Sequence, residues 1–260
     1  MCKFVFVKCY KFIVAILFPL FCMGFVSSSQ SLEYPKIKSG EVIVFHTGHT
    51  LSYDKDHLIP FWVAYELKDF ELEGDAVRSG VFLPDPSPEL AGCLLAQHRD
   101  YTNSGWVRGH MIPAGDLKYS QKAMDESFYT TNVCPMNKNF NEGDWKRLEE
   151  KIRVWAKTYH TVYIITGPLI IDNKNGYVGD SKITVPDAFW KAILVKDGEQ
   201  YYSIAFLMYN EPSKKRKLKE YAITVSELES FIGRKLFYAL DRKTARDIKA
   251  ILPLKELGLY

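Results

Sequence analysis

Arg108-Gly109-His110 sets a guanidinium and an imidazole on either side of a glycine. The triplet lies in Gly105-Trp106-Val107-Arg108-Gly109-His110-Met111-Ile112-Pro113-Ala114-Gly115-Asp116, a segment punctuated by turn-forming residues. Arg108 can fork onto two phosphate oxygens, and Gly109 lets the backbone pass close to a neighbour. An imidazole near its unperturbed pKa of about 6.5 can take a proton from water at neutral pH. About thirty residues later, Asn141-x-Gly143-x-Trp145-x-x-Leu148-Glu149-x-x-x-Arg153 supplies an amide, a carboxylate and a further guanidinium. A base, an oxygen ligand for a hard cation and anion clamps are the groups that metal-assisted cleavage of a phosphodiester requires.

Each of these residues also has a plainer reading. A single histidine is commonly structural. Asn141 stands ahead of an amphipathic pattern with Asp144 three residues on, which suits a helix N-cap. Equally, its amide oxygen could ligate Mg²⁺, a cation that takes few protein ligands and keeps most of its waters. Glu149 and Arg153 are spaced i,i+4 and could form a solvated helix ion pair worth on the order of a few tenths of a kcal/mol. They also lie roughly two and three turns beyond Asn141, where Glu149 could order metal-bound water and Arg153 a phosphate oxygen.

The elements that must position these groups are legible from hydrophobic pattern. Residues 41–46 and 61–67 read as strands rich in β-branched and aromatic residues, as do 128–133, 161–166, 183–185, 190–195 and 201–209. Pro84-Asp85-Pro86-Ser87-Pro88 is a proline-broken loop. From Asp144 to about Lys157 the period becomes helical, with Trp145, Leu148, Ile152 and Trp155 on one face. Val225 to Ile232 and Thr244 to Ile251 also read as helices, and Ser213-Lys214-Lys215-Arg216-Lys217 as a basic loop. Many strands with helices inserted irregularly predict an α+β domain over residues 41–256, a central, mostly antiparallel sheet flanked by helices.

Lys3, Lys8 and Lys11 precede an uncharged apolar run of 15 residues, Phe12 to Val26, and then Ser27-Ser28-Ser29. That order predicts a signal peptide over residues 1–28 and a secreted or periplasmic protein, with no stable membrane association once the leader is cleaved. The full chain has 34 basic and 31 acidic residues; residues 1–30 hold three lysines and no acid, so the remainder carries no formal net charge. A purely charge-driven nucleic-acid binder is therefore disfavoured, whereas an enzyme with a local basic face is not. Of five cysteines, Cys93 and Cys134 lie beyond the leader. In an oxidising compartment they could pair or stay separate thiols, and no Cys-x-x-Cys spacing points to zinc.

Taken together, the motifs resemble those of the DNA/RNA non-specific endonucleases of the ββα-metal class. The family's Asp-Arg-Gly-His, followed by an apolar-x-Pro-Ala run, reads Val107-Arg108-Gly109-His110-Met111-Ile112-Pro113-Ala114 here. Its Ser/Thr-Asn-apolar-x-Pro-Gln block reads Thr131-Asn132-Val133-Cys134-Pro135-Met136, and its Asn-x-Gly-x-Trp-x-x-Leu-Glu block runs from Asn141 to Glu149. Arg78 matches an arginine upstream of an Asp-Pro pair, here Asp85-Pro86, and Thr166-Gly167-Pro168 and Phe189-Trp190-Lys191 also fit. The resemblance covers roughly residues 41 to 240. It implies a ββα-metal motif and Mg²⁺-dependent hydrolysis of DNA and RNA through phosphate contacts, leaving 5′-phosphate ends, with Mn²⁺ as an alternative cation.

By the same resemblance His110 is the general base, Asn141 the metal ligand, and Glu149 the residue that orders the metal's waters. Arg78, Arg108 and Arg153 clamp phosphate oxygens, and Asn132 helps position the others. Val107 stands where the signature has an acid and Met136 where it has glutamine. The first departure is expected to alter loop support or the setting of Arg108, the second to remove a polar contact near the metal. They keep open an alternative, an exported nucleic-acid-binding protein of the same fold with impaired catalysis. A homodimer is compatible with either reading.

Overall fold

A seven-stranded antiparallel sheet separates two hydrophobic cores and carries the site on one of its faces. The computed structural model describes residues 31–260, so the proposed leader lies outside the described residues. The chain forms β1 (Val42–Phe45), β2 (Thr50–Asp54) and β3 (Ile59–Lys68), then a separate two-stranded unit of β4 (Val107–His110) and β5 (Val133–Met136) with the short helix α1 (Gln121–Glu126) between them. The helix α2 (Lys138–Phe140), a π-turn (Asn141–Trp145) and α3 (Lys146–Tyr159) follow. Next come β6 (Thr161–Leu169), the short pair β7 (Tyr177–Val178) and β8 (Ile183–Thr184), β9 (Ala188–Asp197), β10 (Gln200–Tyr209) and β11 (Ala222–Ile223). Helices α4 (Val225–Ile232) and α5 (Arg242–Lys249) complete the chain. The large sheet runs β1-β2-β3-β6-β9-β10-β11, which agrees with the predicted α+β class, and β4, β5 and the following helix form a ββα unit.

Strand alternation divides the two cores. In β9, Phe189, Ile193 and Val195 face the layer that holds Leu148, Ile152 and Trp155 of α3, whereas Trp190, Ala192 and Leu194 face Val225 and Leu228 of α4. Burying each large apolar side chain contributes about 1.5–3 kcal/mol, so α3 is held by its apolar stripe. By the same alternation Lys191 falls on the α3 face, a fully buried cation in an apolar strand.

Several local expectations change. The stretch 128–133 is not one strand: Thr130–Asn132 is a 3-10 turn and the strand starts at Val133. The buried Asn132 amide bonds the backbone of Ile112 and Ser127, which a flat strand could not allow. Cys93 and Cys134 are both free. Asn141 is not an N-cap, because its own backbone is helical (φ −58°, ψ −45°). The cap is Asn137, whose side chain accepts from the Phe140 N–H at 3.3 Å. The helix therefore starts a turn earlier than the apolar period suggests.

This relocation of the cap predicts that Asn137→Ala lowers unfolding free energy by about 1 kcal/mol, the usual cost of losing a capping oxygen. Asn141→Ala should cost well under half of that, since alanine is the better helix former at an interior position. Denaturant titration of both variants checks it, and the reverse order of the two losses would restore the cap to Asn141.

Candidate active site

β4 presents Arg108 and His110 on one face, and the backbone just after His110 is bonded from three sides. Trp145 Nε1 donates to the His110 carbonyl at 3.4 Å, and Lys191 Nζ donates to the Met111 carbonyl at 2.8 Å. The Met111 N–H reaches the Asn132 carbonyl at 2.9 Å. The Asn132 side chain accepts from the Ile112 N–H and donates to the Ile112 carbonyl, each at 3.0 Å, with a third bond to the Ser127 carbonyl at 2.8 Å. Asn132 is fully buried, so it is a positioning residue that touches no solvent.

The His110 ring sits between two aromatic rings, 4.9 Å from the Phe128 centroid in an edge arrangement and 5.2 Å from Phe82. Its Nε2 is buried without a hydrogen-bond partner. Each of these rings also carries an arginine. The Arg78 guanidinium lies 5.5 Å from Phe128, and Arg108 lies 5.5 Å from Phe82 and 5.2 Å from Tyr101. Arg108 Nη2 further donates to the His98 carbonyl at 2.8 Å. Burial, and then the charge of Arg78, lower the His110 pKa from 6.5 to about 3. The imidazole of the free protein is therefore neutral across the whole neutral range. A base titrating near 6.5 is not what this pocket builds.

On the helix, the π-turn alters which residues share a face. In an unbroken α-helix Glu149 would stand about 80° around the axis from Asn141. The wider i→i+5 winding of residues 141–145 reduces that offset and turns Asn141 towards the side of the helix that carries Glu149 and Arg153. Arg153 Nε donates to Asp116 Oδ1 at 2.6 Å, and its Nη2 lies 3.8 Å from Glu149 Oε2. Tyr65 donates to the other Asp116 oxygen at 3.2 Å. The Glu149 and Arg153 side chains are 12% and 25% exposed, so the pair is not the solvated ion pair that spacing alone allows. Burial pushes the Glu149 and Asp116 carboxyls up and the Lys191 ammonium down, each offset in part by its opposite charges. Gly115 matters here because a Cβ on it would stand 3.0 Å from Arg153 Nη2.

Asn141 is half-buried, its backbone N–H donates to the Asn137 carbonyl at 2.9 Å, and its side-chain amide has no protein partner among the described residues. Among those residues no group of three or more His, Cys, Asp or Glu could hold a metal. The donors present, an amide oxygen with a carboxylate on the same helix face, fit a hard cation that keeps its waters and do not fit a thiolate or imidazole cage. The structure thus joins His110, Arg108 and Arg78 through one aromatic cage, and Asn141, Glu149 and Arg153 through one helix face. Sequence reasoning did not single out Lys191, Asp116, Trp145 or the cage rings. A lone lysine inside the apolar run 188–195 was the available signal, since lysine is rarely buried without a task.

With a folded value near 3 against about 6.5 unfolded, the folded state binds fewer protons in that window. Stability from the neutral buried ring is present above about 6.5 and is lost as pH falls towards 3. The His110 imidazole resonances should therefore stay constant in NMR spectra between about pH 5 and 8. A titration midpoint near 6.5 would sink this account of the pocket.

Comparison with known proteins places this geometry in a lineage. The DNA/RNA non-specific endonuclease model matches residues 28–245. The zebrafish mitochondrial nuclease EXOG is 37% identical over 226 residues, covering 81% of this chain and 65% of that protein. The chain thus spans slightly less than two thirds of that relative. Bovine mitochondrial endonuclease G is 32% identical over 215 residues, covering 78% of this chain and 71% of its own. The solved complex of EndoG with its inhibitor EndoGI superposes with a TM-score of 0.73 at 28% identity, covering 82% of this chain and 91% of that one. The mitochondrial location carried by these relatives' names overturns the expectation of a secreted or periplasmic protein, and the leader on which it rested lies outside the described residues. No helix among the described residues is long and apolar enough to cross a membrane. With the match running through β4, β5 and the helix that bears Asn141, the chain belongs to the DNA/RNA non-specific endonuclease family.

Proposed function

We propose that the chain is a Mg²⁺-dependent nuclease that hydrolyses the phosphodiester backbone of DNA and RNA without regard to the sugar, leaving 5′-phosphate ends. The observation that carries this reading is an imidazole with a buried, unbonded Nε2, flanked by two arginines and anchored to a helix that bears an amide oxygen beside a carboxylate. Asn141 would hold the cation through its amide oxygen, and Glu149 would bond the cation's waters. When bound, the cation would supply Lewis acidity at the phosphate and positive charge beside the leaving 3′-oxygen.

The chain's own groups do the rest. His110 takes a proton from the attacking water; its ring is flanked by Phe82 and Phe128, and the backbone on its C-terminal side is tied to Trp145, Lys191 and Asn132. Arg78 and Arg108 bring two positive charges to the base's pocket, where negative charge grows in the transition state. Contacts of this kind go to phosphate and not to base edges, so the activity is expected to ignore sequence. Val107 and Met136 motivate the rival reading of a binder without catalysis, but neither lies on the face that carries Arg108 and His110.

Nicking of supercoiled plasmid should require Mg²⁺, stop in EDTA, and fall by about 10²-fold or more in His110→Ala, the contribution expected of a general base. Wild type cutting no faster than His110→Ala would leave only the binder. Asn141→Ala should raise the Mg²⁺ concentration for half-maximal rate as well as lower the rate. An unchanged Mg²⁺ dependence would remove Asn141 from the metal's coordination.

A further inference from the structure

Val107 and Met136, the two positions at which the chain departs from its family's signature, stand directly opposite each other in the β4–β5 pairing. By the pleat, Val107 and Gly109 share a face with Cys134 and Met136, while Arg108 and His110 share the other. Met136 is completely buried and reaches diagonally to Gly109. A Cβ built on Gly109 would lie 2.1 Å from Met136 Sδ and 2.3 Å from its Cγ. The thioether therefore fills the space behind the peptides that link the arginine to the base. Val107 packs half-buried against the same core cluster, which also contains Cys134.

A carboxylate at position 107 would not face the Arg108 guanidinium, which is fixed on the other side of the strand by the His98 carbonyl and the Tyr101 and Phe82 rings. It would face the buried Met136 side chain and lose part of its solvation beside an apolar partner. An amide at 136 facing Val107 would be stranded in the same way. Together they could bond each other, since directly opposed side chains are the unit by which a sheet is stabilised.

We propose that Val107 and Met136 act as one positioning unit. This apolar pair holds the strand of Arg108 and His110 from behind, where the signature has an acid and an amide, so neither residue can be returned to the signature alone. The kinetic consequence rests on the nuclease reading, whereas the packing consequence does not.

The test is a double-mutant cycle on the full chain with Val107→Asp, Met136→Gln and both, read by melting temperature and by kcat and KM on duplex DNA in Mg²⁺. Each single variant should lower kcat by about tenfold or more with KM within about twofold, because the base shifts while substrate contacts persist. Each should also melt several degrees lower. The double variant should recover most of both losses, to within about threefold of wild-type kcat. Losses that simply combine in the double variant, in both readouts, overturn the proposal. Should wild type cut no faster than His110→Ala, the nuclease reading fails and the melting cycle alone decides the pair.

A second pair covers misfolding of Val107→Asp. Gly109→Ala should melt well below wild type, and Gly109→Ala with Met136→Ala should melt above Gly109→Ala. A double variant no more stable than Gly109→Ala would show that Met136 does not fill the space behind Gly109.

Discussion

The constraint on which the site depends is the bonding of the backbone from His110 to Ile112. Met111 and Ile112 are completely buried, and buried peptide groups must find partners. The partners come from three parts of the fold: Trp145 from the helix, Lys191 from the central sheet, and Asn132 from the turn that leads into β5. Each costs something to bury, Lys191 most of all. An ammonium taken from water is tolerated only beside anions. Those anions are Asp116 and Glu149, and Arg153 lies between them. The charge network under the helix face thus follows from the need to hold the backbone after His110 in place.

The opposite side of the base is built from aromatic surface instead. Phe82 and Phe128 remove water from the imidazole and keep it neutral, while their faces carry the two arginines. A cation stacked on a ring loses less solvation than one buried against a carboxylate, and it remains free to engage an anion. One pair of rings therefore desolvates the imidazole and holds two arginines beside it. The segment that brings Arg78 and Phe82 here is pinned by Asp85, which accepts from Thr131 Oγ1 at 2.6 Å and pairs with His46 at 3.0 Å.

Much of this was legible in the residues, for identifiable reasons. His110, Arg108, Glu149 and Arg153 stand in spacings that survive any detail of the fold, and Val225–Ile232 was readable to the residue because its cap and its stop are both local. Of the two readings open for Asn141 the cap fails, because an asparagine ahead of an apolar stripe is the usual signal and Asn137, four residues earlier, gives the same signal and holds the position. The partners of the His110 backbone could not be read at all. Lys191 is 81 residues from His110, and only strand pairing brings it to the α3 face. Likewise Val107 and Met136 were visible as two separate departures, and their opposition is a matter of register, which the sequence does not write down.

The π-turn shows how such a site is maintained at the expense of regular helix. Turns of this kind are rare and appear mostly as single-turn bulges within α-helices, so the contacts that hold this one open matter. Asp144, inside it, is buried and accepts from Tyr221 at 2.8 Å, from the Lys214 N–H at 3.1 Å and from Arg147 at 2.6 Å. Gly143 lies so close to Ser213 that a Cβ would stand 2.8 Å from the serine's own. The basic loop after β10 is therefore fastened to the turn and, with Tyr221 ahead of β11, holds the extra residue in place. That residue is what lets Asn141 share a face with Glu149, two turns away. A loop that looks in sequence like a solvated run of charge thus helps hold the turn that carries Asn141.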